Sequence, residues 1–529
     1  KGAFKADQFI DATYEGDLMA AAGVSYALGR ENKKQYGESL AGHQFPKKPV
    51  KGLPFNEAGK PLPLLTGTAP GEDKGDGKIM TYSFRVVIST DPDNRLPMPK
   101  PANYDPARFE LARRYIKANP KAAGRMVSVD GYPLPGRKVD LNNGIGRQIS
   151  SGLVGASWAW PEATYQEREK IWEAHKQYTL ELIWFLKSDP VVPETARRKF
   201  AAYGLARDEF QKYGGWPPAL YVREGRRMVG EYVLTQHDVR TNPGKKDSIG
   251  ISSFPIDSHD CQRVPTADGK GWINEGTIFP NRINGNRHGH PYQVPYRSLS
   301  PRRAECVNLL VPVCLSSSHV ALSSIRVEPT WMMLGQSAGV AAALAHEARV
   351  DVQELSYDKL KQRLLKQKQV LDFPLGYKTS PSADVVHPRK LPGIVLDDRT
   401  AIKKGTWKGS RNFRPYVGAG YIHDDNIGKG AASLRFETKI SKSGRYDLRL
   451  AYSPHPSRAS NVPLRIEFDG KGEEMTVNQR LPLDPGSVFR TLKTLDLKAG
   501  HKLTIYLGNE GTDGFVVVDA LQLLERLKK

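Results

Sequence analysis

Residues 325–347, IRVEPTWMMLGQSAGVAAALAHE, read as one helix with Gly335 and Gly339 in its interior. Each interior glycine costs about 1 kcal/mol relative to alanine. The stripe Gly335, Ala338, Gly339, Ala342 and Ala343 leaves one face without side-chain bulk, so a second backbone or a flat ligand is able to approach it. Two readings follow. One is tight packing of the helix on a sheet; the other is a helix start whose N–H groups and positive dipole end face a phosphate or an electron-rich ring.

The flanking sequence extends the pattern in both directions. Upstream, CVNLLVPVCLSSSHV (306–320) is an apolar, β-branched run that predicts a buried strand ending in a Ser/His loop. Downstream, residues 355–370 form a basic amphipathic helix, and the Pro-rich stretch at 373–393 marks a linker. Residues 4–13 predict a strand and turn followed by a small-residue helical segment at 16–29. Helical periodicity recurs at 105–118, 164–187 and 219–235, while 250–300 is rich in Gly, Pro, Asn and His and predicts loops with a few short strands. Beyond 394 the period changes to two. ASLRFETKI (432–440), GRYDLRLAY (444–452), VPLRIEFDG (462–470) and HKLTIYLGN (501–509), bounded by turn residues, predict an antiparallel sandwich.

The 529-residue length supports two or more domains, and 39% hydrophobic residues suffice for their cores. The balance of 78 Lys and Arg against 57 Asp and Glu gives +21, scattered along the chain. Such a charge suits a well-solvated surface or an acidic polysaccharide. No paired Cys/His finger or aromatic-basic strand motif accompanies it, so nucleic acid is not expected as a partner. The apolar runs are too short to span a membrane. Three cysteines without C-x-x-C spacing exclude a disulfide framework and a four-thiolate metal or iron–sulfur site.

FIDATYEGDLMAAAGVSYALGRE (9–31) and SSSHVALSSIRVEPTWMMLGQSAGVAAALA (316–345) together resemble a bacterial FAD-dependent oxidoreductase family with the glutathione-reductase-type fold, distantly related to the flavin subunit of heterodisulfide reductases. The likeness continues through KVDLNN (138–143), YVREGRRMVGEYVLT (221–235), DSHDCQR (257–263) and PYRSLSP (295–301). The C-terminal GAGYIHDD (418–425), SGRYDLRLAYSP (443–454) and GFVVVDALQLL (514–524) are similar to the golvesin or xanthan-lyase type of carbohydrate-binding-like sandwich. The resemblance implies an α/β FAD/NAD(P)-binding fold over 1–372, with cofactor segments at about 1–45 and 305–350 and a mixed helical substrate region at about 65–304, followed by an all-β sandwich over 394–529. A G-x-G-x-x-G after a strand is missing; NNGIGRQIS (142–150) and VGAGYIH (417–423) lack the third glycine and the context. The expectation is therefore an incomplete fold, whose N-terminal βαβ unit lies upstream of this chain together with any targeting signal.

The resemblance further implies FAD as cofactor and hydride transfer with a small-molecule or sugar-like substrate. Asp11, Thr13, Glu15, Gly16 and Asp17 would lie near the adenosine or pyrophosphate, with turn capping as the alternative for Asp11 and Asp17. Gly335, Gln336, Ser337 and Gly339 would set a helix N-terminus against the flavin, and Arg326 and Glu328 would fix the loop as an ion pair. His259 and His319 are the candidate bases, since imidazole ordinarily titrates near neutral pH. Arg297 is the candidate for an anionic or hydroxylated substrate. His288 and His290 lack a third ligand, so no metal is expected. The competing reading is a non-catalytic, basic secreted protein that binds glycans through its sandwich beside a degenerate flavin domain. The sandwich type implies a periplasmic or secreted location.

Overall fold

The computed structural model describes all residues except 1–2, 47–48, 69–73, 128–132, 143–147, 242, 280–290, 374–387, 389–390, 411–412, 414–415, 485–486 and 527–529. Most of the linker expected at 373–393 therefore lies outside the described residues, as do His288 and His290. The chain divides into two compact units, the first spanning Lys1–Val239, Gly244–Phe279 and Pro291–Phe373, the second built mainly from Pro374–Lys529.

The first unit holds helices α1 (Asp17–Ala21), α2 (Glu110–Ala118), α3 (Tyr165–Ser188), α4 (Glu194–Ala201), α5 (Gln236–Arg240, whose last residue belongs to the second unit), α6 (His319–Ile325), α7 (Glu328–Ala348) and α8 (Tyr357–Lys366). α3 begins at a capping box: Thr164 Oγ1 accepts from Glu167 N–H, and the Glu167 carboxylate accepts from Thr164 N–H. Its buried face packs Tyr178 and Phe185 against Phe109, with ring centroids 6.1 and 5.0 Å apart. This core also covers an antiparallel sheet in the order Arg95–Leu96, Gly204–Ala206, Val86–Ser89, Lys138–Leu141, Pro133–Leu134. A second core gathers around α6, α7 and α8.

Phe9–Ile10 pairs in parallel with Leu309–Leu310, which draws the Asp11–Asp17 turn against the segment leading to α6. The buried run at 306–320 is a strand only over Leu309–Leu310. Beyond it the chain bends at 312–314 and 316 and is tied by single bonds to different neighbours: Met228 N–H donates to Cys314 O, and Leu234 N–H to Ser316 O. His319 opens α6, with Ser318 Oγ accepting from Ala321 N–H as its cap.

Three expected helices change. Residues 325–347 are not one helix: α6 ends at Ile325, the chain passes through Arg326 and the extended Val327, and α7 starts at Glu328. Pro329 in the first turn explains the restart, because proline lacks an N–H and disfavours a helical residue before it. In 16–29 only Asp17–Ala21 is helical, and Tyr26–Ala27 pairs with Arg227–Met228. Residues 219–235 form no helix; Arg223, Glu224, Arg226 and Arg227 are buried, and a β-carbon on Gly225 would meet Tyr14 O at 2.5 Å. Side chains that must reach partners on different loops set the backbone there.

The second unit is a β-sandwich of antiparallel strands. Ile402–Lys404, Ser433–Lys439, Lys502–Gly508, Val462–Phe468 and Lys471–Val477 form one sheet in that order; Ile394–Asp397, Ala520–Glu525, Gly444–Ala451 and Arg490–Leu497 form another. Alternate residues, Leu434 and Phe436, Leu448 and Leu450, Leu464 and Ile466, fill the core, as the period of two requires. Tyr416 and Tyr421 are buried within it.

Candidate active site

The Asp11–Asp17 turn is held from inside. Asp11 Oδ1 accepts from Thr13 N–H at 3.0 Å and Oγ1–H at 2.6 Å, and its Oδ2 accepts from Met19 N–H at 2.8 Å. Thr13 Oγ1 accepts from Gly16 N–H at 3.0 Å. Gly16 has φ 69°, and a β-carbon there would meet Met19 Cε at 2.9 Å, so the turn requires glycine. Asp11, Thr13 and Gly16 thus build the turn, which favours the capping alternative for Asp11. Glu15 and Asp17 reach outward: Glu15 accepts from Trp160 Nε1–H at 3.1 Å, and Asp17 is clamped by Arg168 at 2.6 Å and Arg226 at 2.7 Å. The hydrogen bond from Arg168 leads in holding the Asp17 carboxyl below its ordinary range.

The glycines of α7 do not form its N-terminus. Gly335, Gln336, Ser337 and Gly339 lie about two turns and more inside it, because the helix starts at Glu328. Ser337 Oγ donates to Ile249 O or Met333 O and accepts from Gln369, while Gln336 donates to Gln367 at 3.0 Å. Apart from its chain neighbours and the adjacent backbone of α7 itself, no atom of the described residues lies within 4 Å of a β-carbon built on Gly335 or Gly339, and neighbouring Met332 is 74% exposed. The stripe is thus open at Gly335 and Gly339, while Ala338 within it is fully buried. The end of α7 is also self-contained: Pro329 has no N–H, and the N–H groups of Thr330 and Trp331 donate to Val327 O at 2.9 and 3.1 Å. What the first turn still offers is the positive end of a 21-residue dipole, without a side-chain cap.

The expected Arg326–Glu328 ion pair is replaced. Arg326 is buried and donates to Asp257 O at 2.6 Å, with Asp257 Oδ1 3.3 Å away; Glu328 is exposed. A charge turned inward needs a buried partner, and the loop 257–260 supplies it.

His259 and His319 occupy different settings. His259 is buried with Nε2 3.5 Å from Asp257 Oδ1. Burial, then Arg223, Arg326 and Arg85, pushes this imidazole well below its ordinary value, so it is neutral near pH 7. Asp257 is pushed up, by burial first. His319 Nδ1 lies 2.8 Å from Glu224 Oε1, its N–H donates to Glu31 Oε2 at 3.0 Å, and its Nε2 is sealed in without a partner among the described residues. Arg227 joins Glu31 and Glu224. Burial raises the Glu31 carboxyl, but Arg227 and the His319 N–H outweigh it and leave it lowered. Arg297 stands apart from both histidines in its contacts: it pairs with Asp247 at 3.2 Å and lies over the Tyr232 ring at 4.3 Å.

A small cavity of about 10 Å³, roughly the space of one water, lies beside the turn, lined by Tyr14, Arg223, Glu224, Arg226, Cys314 and Trp331 among others. Tyr14 meets Trp331 edge-on with centroids 5.1 Å apart. Arg223 donates to Thr81 O at 2.8 Å and Ser83 Oγ at 2.9 Å. Burial, then the neighbouring Arg326, lowers it to about 9. Sequence reading passed over Tyr14, Arg223, Glu224, Arg227 and Trp331. The available signal was YVREGRR (221–227), a charge run between two of the quoted motifs. No group of three or more His, Cys, Asp or Glu among the described residues is arranged to hold a metal. No helix among them is long and apolar enough to cross a membrane.

Residues 1–364 match the model of a family described as FAD dependent oxidoreductase, and residues 394–525 match that of the Golvesin C-terminal domain. A xanthan lyase of Bacillus sp. (strain GL1) is 30% identical over 158 residues, 29% of this chain and 17% of that protein. Among solved structures, a Paenibacillus xanthan lyase is similar at 32% identity and TM-score 0.23, over 25% of this chain and 13% of its own. A family 35 carbohydrate binding module from Clostridium thermocellum is similar at 15% identity and TM-score 0.19, over 25% of this chain and 98% of its own. The chain spans less than a fifth of either lyase.

Proposed function

Because the chain belongs to the FAD dependent oxidoreductase family over residues 1–364, we propose that it transfers hydride between a small-molecule or sugar-like substrate and FAD bound against the face that carries Tyr14 and Trp331. The observation that carries this reading is the Tyr14–Trp331 pair at the positive end of α7, facing a wall that contains Arg223. The residues present fit a flavin as one wall of its site. An aromatic pair, a dipole end without a side-chain cap and the face of α7 open at Gly335 and Gly339 suit a flat, electron-rich ring. Tyr14, Trp331 and the first turn of α7 would hold that ring, with Glu15 and Asp17 on the adjoining turn. When bound, FAD supplies the hydride acceptor or donor.

The chain's own residues position and shield. Arg326 ties the 257–260 loop to the α6–α7 junction, which fixes His259 relative to the pocket wall. His259, kept neutral, is suited to exchange a hydrogen bond or proton with the substrate at a ring nitrogen. His319 lies behind the wall on Glu224 and acts as a positioning residue. The sandwich, as a Golvesin C-terminal domain, would hold the enzyme on polysaccharide outside the cytoplasm.

The test is the visible absorption spectrum of the protein expressed from its whole gene, before and after addition of FAD. Flavin bands that bleach with a substrate support the reading. A featureless spectrum unchanged by FAD would remove it and favour glycan binding alone.

A further inference from the structure

In the sandwich, Asp424 gathers a lysine and an asparagine onto one oxygen. Lys429 Nζ donates to Asp424 Oδ2 at 2.8 Å, and Asn509 Nδ2 donates to the same atom at 3.1 Å. The ammonium of Lys429 and the amide nitrogen of Asn509 are therefore held side by side. Asp424 is fixed through its other oxygen, which accepts from Asn426 N–H at 3.0 Å and Val516 N–H at 2.9 Å. Asn509 Oδ1 accepts from the backbone N–H groups of Gly430 and Ala432, at 3.0 and 3.1 Å. Two N–H donors on one carbonyl oxygen are the arrangement that stabilises the oxyanion formed when such a carbonyl is attacked. Asn509 and the Asp424 side chain are sealed from water, whereas the Lys429 side chain is 28% exposed. The remaining bonds hold both partners in place: Lys429 Nζ also donates to Gly514 O at 2.7 Å, and Asn509 Nδ2 to Ile427 O and Gly428 O at 3.3 and 3.2 Å.

We propose that Lys429 and Asn509 join in an intramolecular isopeptide bond, a covalent staple within the sandwich. Asp424 takes a proton from the Lys429 ammonium, and the freed lone pair of Nζ attacks Asn509 Cγ. The carbonyl pair moves onto Oδ1, where the Gly430 and Ala432 N–H groups receive it. As the carbonyl re-forms, the Cγ–Nδ2 bond breaks and Asp424 delivers its proton to Nδ2. The second proton of the newly linked Nζ follows, so the nitrogen departs as ammonium and the amide is neutral. No oxidant or co-reactant enters. Holding the two partners on one carboxylate supplies the effective concentration that amide exchange otherwise lacks. Residues 374–529 contain no cysteine, so no disulfide is able to staple this unit. Lys429 precedes the strand Ser433–Lys439 and Asn509 follows Lys502–Gly508, its antiparallel neighbour, so the link fastens the pair where Ser433 faces Gly508. It restricts the unfolded chain between residues 429 and 509 as a disulfide does. The bond forms whether or not FAD occupies the first unit.

The experiment is mass spectrometry of the full protein and of its tryptic digest. A chain lighter than its sequence by one ammonia is expected, with Lys429 and Asn509 in a single branched peptide and no cleavage after Lys429. Other asparagines lose the same ammonia when they cyclise, so the branched peptide decides rather than the mass alone. Lys429→Arg keeps a cation beside Asp424 but cannot form the amide, and it is expected to give separate linear peptides. The Lys429 side chain is partly exposed, so this variant removes the bond and spares the core. Asp424→Asn, which removes the proton carrier, is expected to leave the newly made chain mostly unlinked. Linear peptides for both residues in the unaltered protein would overturn the proposal. So would a branched peptide that persists in Lys429→Arg or forms undiminished in Asp424→Asn.

Discussion

Arg227 Nη2 and Glu31 Oε1 lie 2.7 Å apart, both sealed from solvent, although 196 residues separate them along the chain. The same guanidinium serves Glu224, which holds His319, so one cation compensates two buried carboxylates. Arg227→Met is expected to destabilise the protein by about 3–5 kcal/mol, because it strands both charges. Urea unfolding of the two proteins near neutral pH measures this. A loss within the error of the measurement would mean that the carboxylates are not charged in the fold.

The open face of α7 makes a prediction in the opposite direction. With no atom of the described residues beyond the adjacent α7 backbone within 4 Å of either added β-carbon, Gly339→Ala or Gly335→Ala is expected to stabilise the protein by up to about 1 kcal/mol. Gly225→Ala is expected to destabilise it, since its β-carbon would meet Tyr14 O at 2.5 Å. Melting temperatures of the three variants decide. Should FAD lie on the open face, the α7 alanines would gain stability while losing flavin affinity, a split that packing alone does not produce.

His259 is expected to remain neutral through the range in which free imidazole titrates, around pH 6.5, because burial and the arginines depress it. The NMR signals of its ring, assigned by comparison with His259→Gln, should stay fixed as pH falls from about 8 to 6. Movement with a midpoint near 6.5 would show that the ring is open to solvent rather than buried.

In the sandwich, burial first and then Asp397 raise the Asp398 carboxyl to about 7. The folded chain thus keeps a proton that the unfolded chain, near 3.8, has released. Stability contributed by this group is greatest in acid, falls as pH rises from about 4 to 7 and is level above that. Asp519, also raised by burial, has the same sign. Asp398→Asn should flatten the slope in thermal unfolding of the full chain, and an unchanged slope would place the titration elsewhere.

Local signals carried much of the architecture. Thr164 and Glu167 mark the start of α3 through contacts three residues apart, and the alternation in 432–440 and 444–452 sorts each sandwich strand into a buried and an exposed side. The site was legible only where its partners are close in sequence, as in the Asp11–Gly16 turn. Arg326 was assigned to Glu328, two residues away, whereas its partner Asp257 lies 69 residues back. The same distance hid Arg223 and Glu224: a run of charge reads as solvated surface unless the buried groups that receive it are known. Pro329 is the local sign of the restart, but the apolar periodicity that continues on both sides of it masks the break.

The parallel pairing of Phe9 with Leu309 has a temporal side. The two strands are 300 positions apart, so during synthesis at about 5–20 residues per second the first waits some 15 to 60 s for the second to be made. Until then Phe9 and Ile10 lack their strand partner, and Met19 and Val24 lack the Leu309, Val311 and Cys314 against which they pack. Contacts of such separation form late and slowly. Protection of the early segment while the ribosome works, and a first unit that tolerates no truncation before residue 311, are the consequences of building this wall from segments 300 residues apart.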